Sequence, residues 1–152
     1  MLKIIVMQQN IIPIGADHAG FTLKETIIKH LESKGYDVKD FGCFSEASID
    51  YPDYAHPVAE MVENNSGTIG ILICGSGNGI NMTANKHQGI RSALCWKKEI
   101  AELARQHNNA NIITLPARFI TEREAIEMVD VFLSTEFEGG RHQNRIDKIA
   151  CQ

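Results

Sequence analysis

The chain is 152 residues long, 43% hydrophobic and 22% charged, with a formal net charge of −4 at pH 7. That length is one domain's worth, able to bury about two thirds of its unfolded surface without covalent staples, and the acidic balance argues against nucleic-acid or membrane-surface partners. With no apolar run near the roughly 20 residues of a membrane span, no signal-peptide cleavage pattern and four cysteines at neither C-x-x-C nor zinc spacing, it reads as a cytoplasmic protein with no cofactor, metal site or disulfide framework.

Residues 1–10 read as an N-terminal extension and residues 11–152 as a single domain without internal repeat or linker. Ile11 to Ala16 is a first strand, in which Pro13, unable to donate to a ladder, predicts a local irregularity. The strand runs into Gly15-Ala-Asp-His-Ala-Gly20, which puts Asp17 and His18 at a C-terminal strand edge, where open α/β sheets bind ligands. Capping or plain loop exposure is the structural alternative for both. Thr22 to Lys34 carries Leu23, Ile27, Ile28 and Leu31 on one helical stripe with charged residues on the other side, and Gly35 stops it. Tyr36 to Phe41 is a second strand. A polar connection, Gly42 to Asp53, contains Tyr51, whose hydroxyl could reach a ligand. Pro57 to Glu63 suits a helix with Asn64-Asn65-Ser66-Gly67 as its exit turn.

Ile69 to Gly79, Ile-Gly-Ile-Leu-Ile-Cys-Gly-Ser-Gly-Asn-Gly, is the centre of the chain. Its aliphatic run reads as a strand buried on both faces, the habit of a parallel sheet under helices. Gly75, Gly77 and Gly79 then let the backbone amides approach a ligand closely, and the helix from Ile80 to Lys86 adds the positive end of its dipole. Counting excludes two identities. The sixth position from Gly75 is Ile80, so the dinucleotide fingerprint fails, and no Lys-Ser or Lys-Thr pair follows the last glycine, so this is no P-loop. Cys74 sits at the rim of this loop, where the same amides are expected to draw a thiolate's pKa below its free value. A ligand-free strand-to-helix connection is the competing reading of the loop.

Ile90 to Cys95 is a fourth strand. Trp96, Ile100, Leu103, Ala104 and His107 follow at helical spacing, so His107 closes the apolar face, beside Asn108 and Asn109. Ile112 to Leu115 is the fifth strand, and Arg118 just past it stands at the same edge as Cys74 and Asp17. Thr121 and Glu124 form a capping box for a helix that Gly139-Gly140 breaks. Arg141 and Arg145, four apart, share a face; it reads either as a solvated charge face or, aimed by the glycine pair, as the local cation cluster that an acidic protein needs to hold an anion.

Taken together, Gly-Ala-Asp-His-Ala-Gly-Phe at 15–21, Asp-Tyr-Pro at 50–52, Ile-Cys-Gly-Ser-Gly-Asn-Gly at 73–79, Ala-Asn-Lys at 84–86, Arg-Gln-His-Asn at 105–108 and Glu-Gly-Gly-Arg-His at 138–142 resemble the ribose-5-phosphate isomerase B family, which also includes galactose-6-phosphate isomerase subunits. The resemblance runs from Ile11 onward. It implies an α/β fold with three α/β/α layers, a five-stranded parallel flavodoxin- or Rossmann-like sheet in a single domain, and metal-independent aldose–ketose isomerisation of a phosphorylated sugar. The reaction so implied is ribose 5-phosphate to ribulose 5-phosphate through a cis-enediolate, as in the pentose phosphate pathway, by a homodimer or tetramer whose active sites draw on both subunits. By the same resemblance Cys74 is the base, Ser76 helps move a proton between the two oxygens, and His107 opens the sugar ring with help from Asp17. Gly75, Gly77, Asn78 and Gly79 line the anion hole, Asn108 touches substrate, and His18, Arg118, Arg141 and Arg145 hold the phosphate, with Tyr51 and His142 against the sugar. One branch of the family uses a glutamate just after the glycine loop, where this chain has Ile80, so it groups with the thiol branch. Two other classes fit the same residues: a cysteine hydrolase with Cys74 activated by His107, and a non-catalytic sugar-phosphate sensor.

Overall fold

Apolar strand-like runs alternating with amphipathic stretches return the chain repeatedly to one sheet edge, and this produces parallel strands. The computed structural model describes residues 11–151; the expected extension at 1–10 lies outside them. Five strands, β1 (Ile11–Ala16), β2 (Asp37–Asp40), β3 (Gly70–Cys74), β4 (Ser92–Leu94) and β5 (Ile112–Pro116), form one all-parallel sheet in the order β2-β1-β3-β5-β4. Six helices accompany it: α1 (Phe21–Ser33), α2 (Pro52–Asn64), α3 (Asn78–Ala84), α4 (Lys98–Asn108), α5 (Glu122–Ser134) and α6 (Arg141–Ile146).

The two faces of the sheet carry separate cores. Ile71 and Ile73 of β3 join Ile12, Ile14, Ile113 and Leu115 beneath α1, α4 and α5. Leu72 and Cys74, pointing the opposite way by the period-2 rule, join Val58, Ile80 and Ile112 beneath α2 and α3. The three-layer, five-stranded architecture is therefore as expected. Its right-hand edge differs from the flavodoxin order 2-1-3-4-5 in that β5 lies inside β4. Strand length accounts for this: β5 offers five fully buried residues, while β4 has three half-buried ones and suits an edge.

Four local expectations are corrected. Pro13 causes no irregularity, because β1 runs in unbroken register with β2 from Ile11↔Asp37 to Ile14↔Asp40 and pairing with β3 begins only at Ile14. The second helix starts at Pro52, not Pro57; Pro52 occupies the first turn, where its missing N–H costs nothing, and Pro57 removes a single bond farther in. Lys24 is not on the solvent side of α1. It is 0% exposed, and its ammonium lies over the rings of Phe21 and Phe44 and donates to Asp40 Oδ2 at 2.6 Å and Glu25 Oε1 at 2.8 Å. The last long helix ends at Ser134, before the glycine pair, where Thr135 turns extended and Glu138 N donates to Gln106 O at 3.1 Å.

Candidate active site

β3 ends at Cys74 between β1 and β5, so whatever follows those three strands meets at one edge. Asp17 N donates to Ile73 O at 3.0 Å, Ala117 N to Cys74 O at 2.9 Å and Arg118 N to Gly75 O at 3.0 Å, which stitches three loops together. Asp17 caps the following turn by accepting from Gly20 N at 3.0 Å. Gly77 has φ 77°, and a Cβ there would also strike Leu94. A Cβ at Gly79 would run into the Tyr51 ring, so glycine is what allows that ring to lie over the first turn of α3. The Arg118 guanidinium lies against Gly75, and Ser76 Oγ accepts from Asn78 N at 3.3 Å. His18 Nδ1 accepts from Ile49 N at 3.4 Å, which leaves Nε2–H as the donor. Asp17, His18, Tyr51, Cys74 to Gly79 and Arg118 are thus one neighbourhood.

The direction of the thiol's pKa shift there is the reverse of expectation. Cys74 is 7% exposed, and its pKa lies above the ordinary 9.0. Burial is the main cause, the charge of Asp17 and the bond its carboxylate accepts from the thiol add to it, and the amides of Gly77 and Ile80 only partly offset these. Loop amides alone suggested a depressed value; burial, joined by the carboxylate brought in by β1, outweighs them.

The remaining candidates sit at the other end of the sheet. β3 and β5 run in register from Gly70↔Ile112 to Cys74↔Pro116, about 13 Å of strand at 3.3 Å per residue. His107 and Asn108 precede Ile112 and so lie beyond the N-terminal edge, where α6 packs on α4. His142 and Ile146 form the buried side of α6, while Arg141 and Arg145 face solvent with no ion-pair partner among the described residues. The ring of His142 stacks on that of His107 at 4.4 Å. Within one chain the structure does not bring His107, Asn108, Arg141, His142 and Arg145 to Cys74.

Two arginines to which sequence reading gave no role, Arg91 and the Arg105 of the 105–108 motif, hold this end in shape. Arg91 donates to the carbonyls of Asn108 and Asn109 at 2.9–3.1 Å, and Arg105 to Asn109 Oδ1 at 3.0 Å, Ala110 O at 2.6 Å and Thr135 O at 3.2 Å. They satisfy carbonyls that end α4 and place positive charge at its negative pole, around Asn109 at φ 44°. Burial lowers the pKa of both. An arginine and an asparagine at helix-end spacing were the only available signal, and no pattern in the sequence links Arg91 to them.

A family model described as Ribose/Galactose Isomerase matches residues 12–149. The chain belongs to the ribose/galactose isomerase family. Its relatives in that family include the probable ribose-5-phosphate isomerase B of Mycoplasma genitalium, 51% identical over 138 residues that cover 90% of this chain and 91% of the relative. The ribose-5-phosphate isomerase B of Escherichia coli strain K12 is 44% identical over 140 residues, 92% and 94% of the two chains. Among solved structures, a ribose 5-phosphate isomerase from Thermotoga maritima superposes with a TM-score of 0.90 at 51% identity, covering 92% of this chain and 97% of that one. The Mycoplasma genitalium enzyme with bound ribulose-5-phosphate gives 0.88 at 51% identity, with coverages of 91% and 93%. No described helix of this family member is long and apolar enough to cross a membrane.

Proposed function

We propose that this isomerase-family chain interconverts D-ribose 5-phosphate and D-ribulose 5-phosphate through a cis-enediolate, with Cys74 as the base. The observation that carries the reading is the free, mostly buried thiol at the end of β3, followed by the glycine-rich turn at 75–77 and the first turn of α3, in a chain alike along nearly its whole length to ribose-5-phosphate isomerases B. Isomerisation requires a base beside the carbonyl carbon, donors for the enediolate oxygens and a group to open the furanose. Once ionised against its raised pKa, Cys74 takes the C2 proton as a thiolate and returns it at C1. Amides of Gly75, Gly77, Asn78 and Gly79 stabilise the oxyanion, and Ser76 passes a proton between the two oxygens. His107 opens the ring, Asp17 assists through the ring hydroxyls, Asn108, Tyr51 and His142 touch the sugar, and His18, Arg118, Arg141 and Arg145 hold the phosphate. Guanidinium forks suit that dianion better than ammonium groups.

This division of labour needs two copies, because His107, Asn108, Arg141, His142 and Arg145 lie at the opposite sheet edge from the thiol, while His18 and Arg118 stand beside it. A two-fold pair in which the C-terminal edge of each copy meets the N-terminal edge of the other builds two identical sites from self-complementary surfaces. The functional unit is accordingly a cytoplasmic homodimer, or a tetramer of such pairs. Ribose 5-phosphate incubated with the protein in D₂O is expected to acquire deuterium at C2 and yield ketose, and neither product with the wild-type protein would overturn the assignment. Inactive Cys74→Ala and His107→Ala proteins, unfolded and refolded together, are expected to recover about a quarter of wild-type turnover, since half the dimers then hold one intact site; no recovery would place each site within one chain. Comparing kcat/KM on five- and six-carbon sugar phosphates tests the choice of sugar.

A further inference from the structure

The N-terminal edge carries a second chemistry that isomerisation does not call for. Among the described residues, one group of three His, Cys, Asp or Glu side chains brings its donor atoms within 4.8 Å of one another: His107, Glu138 and His142. They come from the last turn of α4, the extended segment after α5 and the first turn of α6. The backbone bond from Glu138 N to Gln106 O ties the segment to α4, and Gly139 and Gly140, at φ 69° and 58°, turn the chain from Glu138 into α6. Glu138 Oε2 lies 3.5 Å from His142 Nε2 and 3.9 Å from His107 Nε2. No lysine or arginine pairs with that carboxylate among the described residues, so two imidazoles are its only basic neighbours within ion-pair range.

Zinc bound tetrahedrally at about 2.0–2.1 Å holds adjacent nitrogen and oxygen ligands roughly 3.3–3.4 Å apart. The Glu138–His142 edge is within about 0.2 Å of that length, and the Glu138–His107 edge is wide by about half an ångström. The two rings are nearly parallel, 14° apart, so their nitrogens aim side by side and one ring must tilt to converge. His107, with 41% of its side chain exposed, is free to do so, while His142 at 9% supplies the fixed ligand.

We propose that His107, Glu138 and His142 form an inhibitory site for a divalent transition metal such as Zn²⁺, two imidazoles and a carboxylate with water at the fourth position. The ion is no cofactor. Bound to His107, it ties up the ring that exchanges protons with the sugar, so metal and substrate compete; this consequence rests on the ring-opening role proposed for His107, whereas the binding itself does not.

Titration of metal-free protein with zinc is expected to show one ion per chain by calorimetry, with only nitrogen and oxygen in the zinc absorption-edge coordination shell, and turnover inhibition that rising ribose 5-phosphate relieves. Glu138→Gln is expected to retain turnover while losing at least about tenfold in zinc affinity and in sensitivity to inhibition, with Glu138→Asp recovering part of both. Cys74→Ala, though inactive, is expected to bind zinc as wild type does. Sulfur in the shell, loss of binding in Cys74→Ala, or unchanged affinity in Glu138→Gln would overturn the site. Binding by these three residues without inhibition would overturn the inhibitory role, and metal-free turnover that survives His107→Ala would instead remove the ring-opening role on which it rests.

Discussion

At the C-terminal edge of the sheet, Cys74 and Asp17 are each 7% exposed and are placed by backbone bonds between three neighbouring loops. At the N-terminal edge, His107 is half-exposed and Arg141 and Arg145 stand in solvent, and the arrangement depends on two arginine side chains gripping the end of a helix. The contrast matches the roles proposed for the two groups. A base acting on a C–H bond needs walls that keep water away and a geometry that does not wander. Cations that hold a dianion need reach and an uncommitted charge, and among the described residues Arg141 and Arg145 have no carboxylate partner. The first kind of site is made by strands and glycines; the second can be carried by a short helix.

Breaking the walled edge is expected to cost most. Removing the base in Cys74→Ala should lower kcat by about 10²–10⁴-fold with KM little changed, and a variant that keeps wild-type kcat would move the chemistry elsewhere. Truncation at the open edge should instead act on binding. Arg141→Ala forfeits a charge-assisted bond of about 1.5–3 kcal/mol, or roughly 10–100-fold in KM, with the fold intact by circular dichroism; unchanged kinetic constants would strike Arg141 from the phosphate grip. Between the two lies the clamp. Arg105→Met leaves three acceptors around Asn109 and Ala110 without their donor, so urea unfolding should show a loss of about 2–3 kcal/mol, and a fully stable variant would mean that water replaces the guanidinium.

The smallest expected effect sharpens the comparison chemically. Asp17 is negative and disfavours the thiolate beside it, so Asp17→Asn should lower the Cys74 pKa from its position above 9.0 while keeping the cap on Gly20 N. Thiolate absorbance or alkylation rate against pH, followed in Cys43→Ala, Cys95→Ala, Cys151→Ala background, should show the midpoint moving down. A midpoint that stays or rises would show burial alone setting the thiol's charge state.

Much of the frame was legible beforehand because it is written in local periodicity. The run Ile71-Leu72-Ile73 can be buried on both sides only in the middle of a sheet, and β3 is there. Thr121 and Glu124 form the reciprocal cap that their spacing foretold, with Thr121 Oγ1 accepting from Glu124 N at 3.1 Å and Glu124 Oε2 from Thr121 N at 2.7 Å. Arg141 and Arg145 do share an exposed helical face. Lys24 was misread because helical periodicity sees the stripe of its own helix and not Asp40, sixteen residues on, which brings a carboxylate to meet it. Asn108 and His107 were rightly placed at a helix end, but which edge of the sheet that end faces depends on the direction of the crossover.

By itself the sequence determined the parallel α/β frame, the glycine loop after Cys74 and the family, since each is encoded in residues near one another along the chain. Only the tertiary structure decided that β5 lies inside β4, that Asp17 opposes ionisation of Cys74, and that the thiol and the paired arginines occupy opposite edges of one chain. These are facts about distance through space, and electrostatic fields and packing follow that distance whatever the separation in sequence.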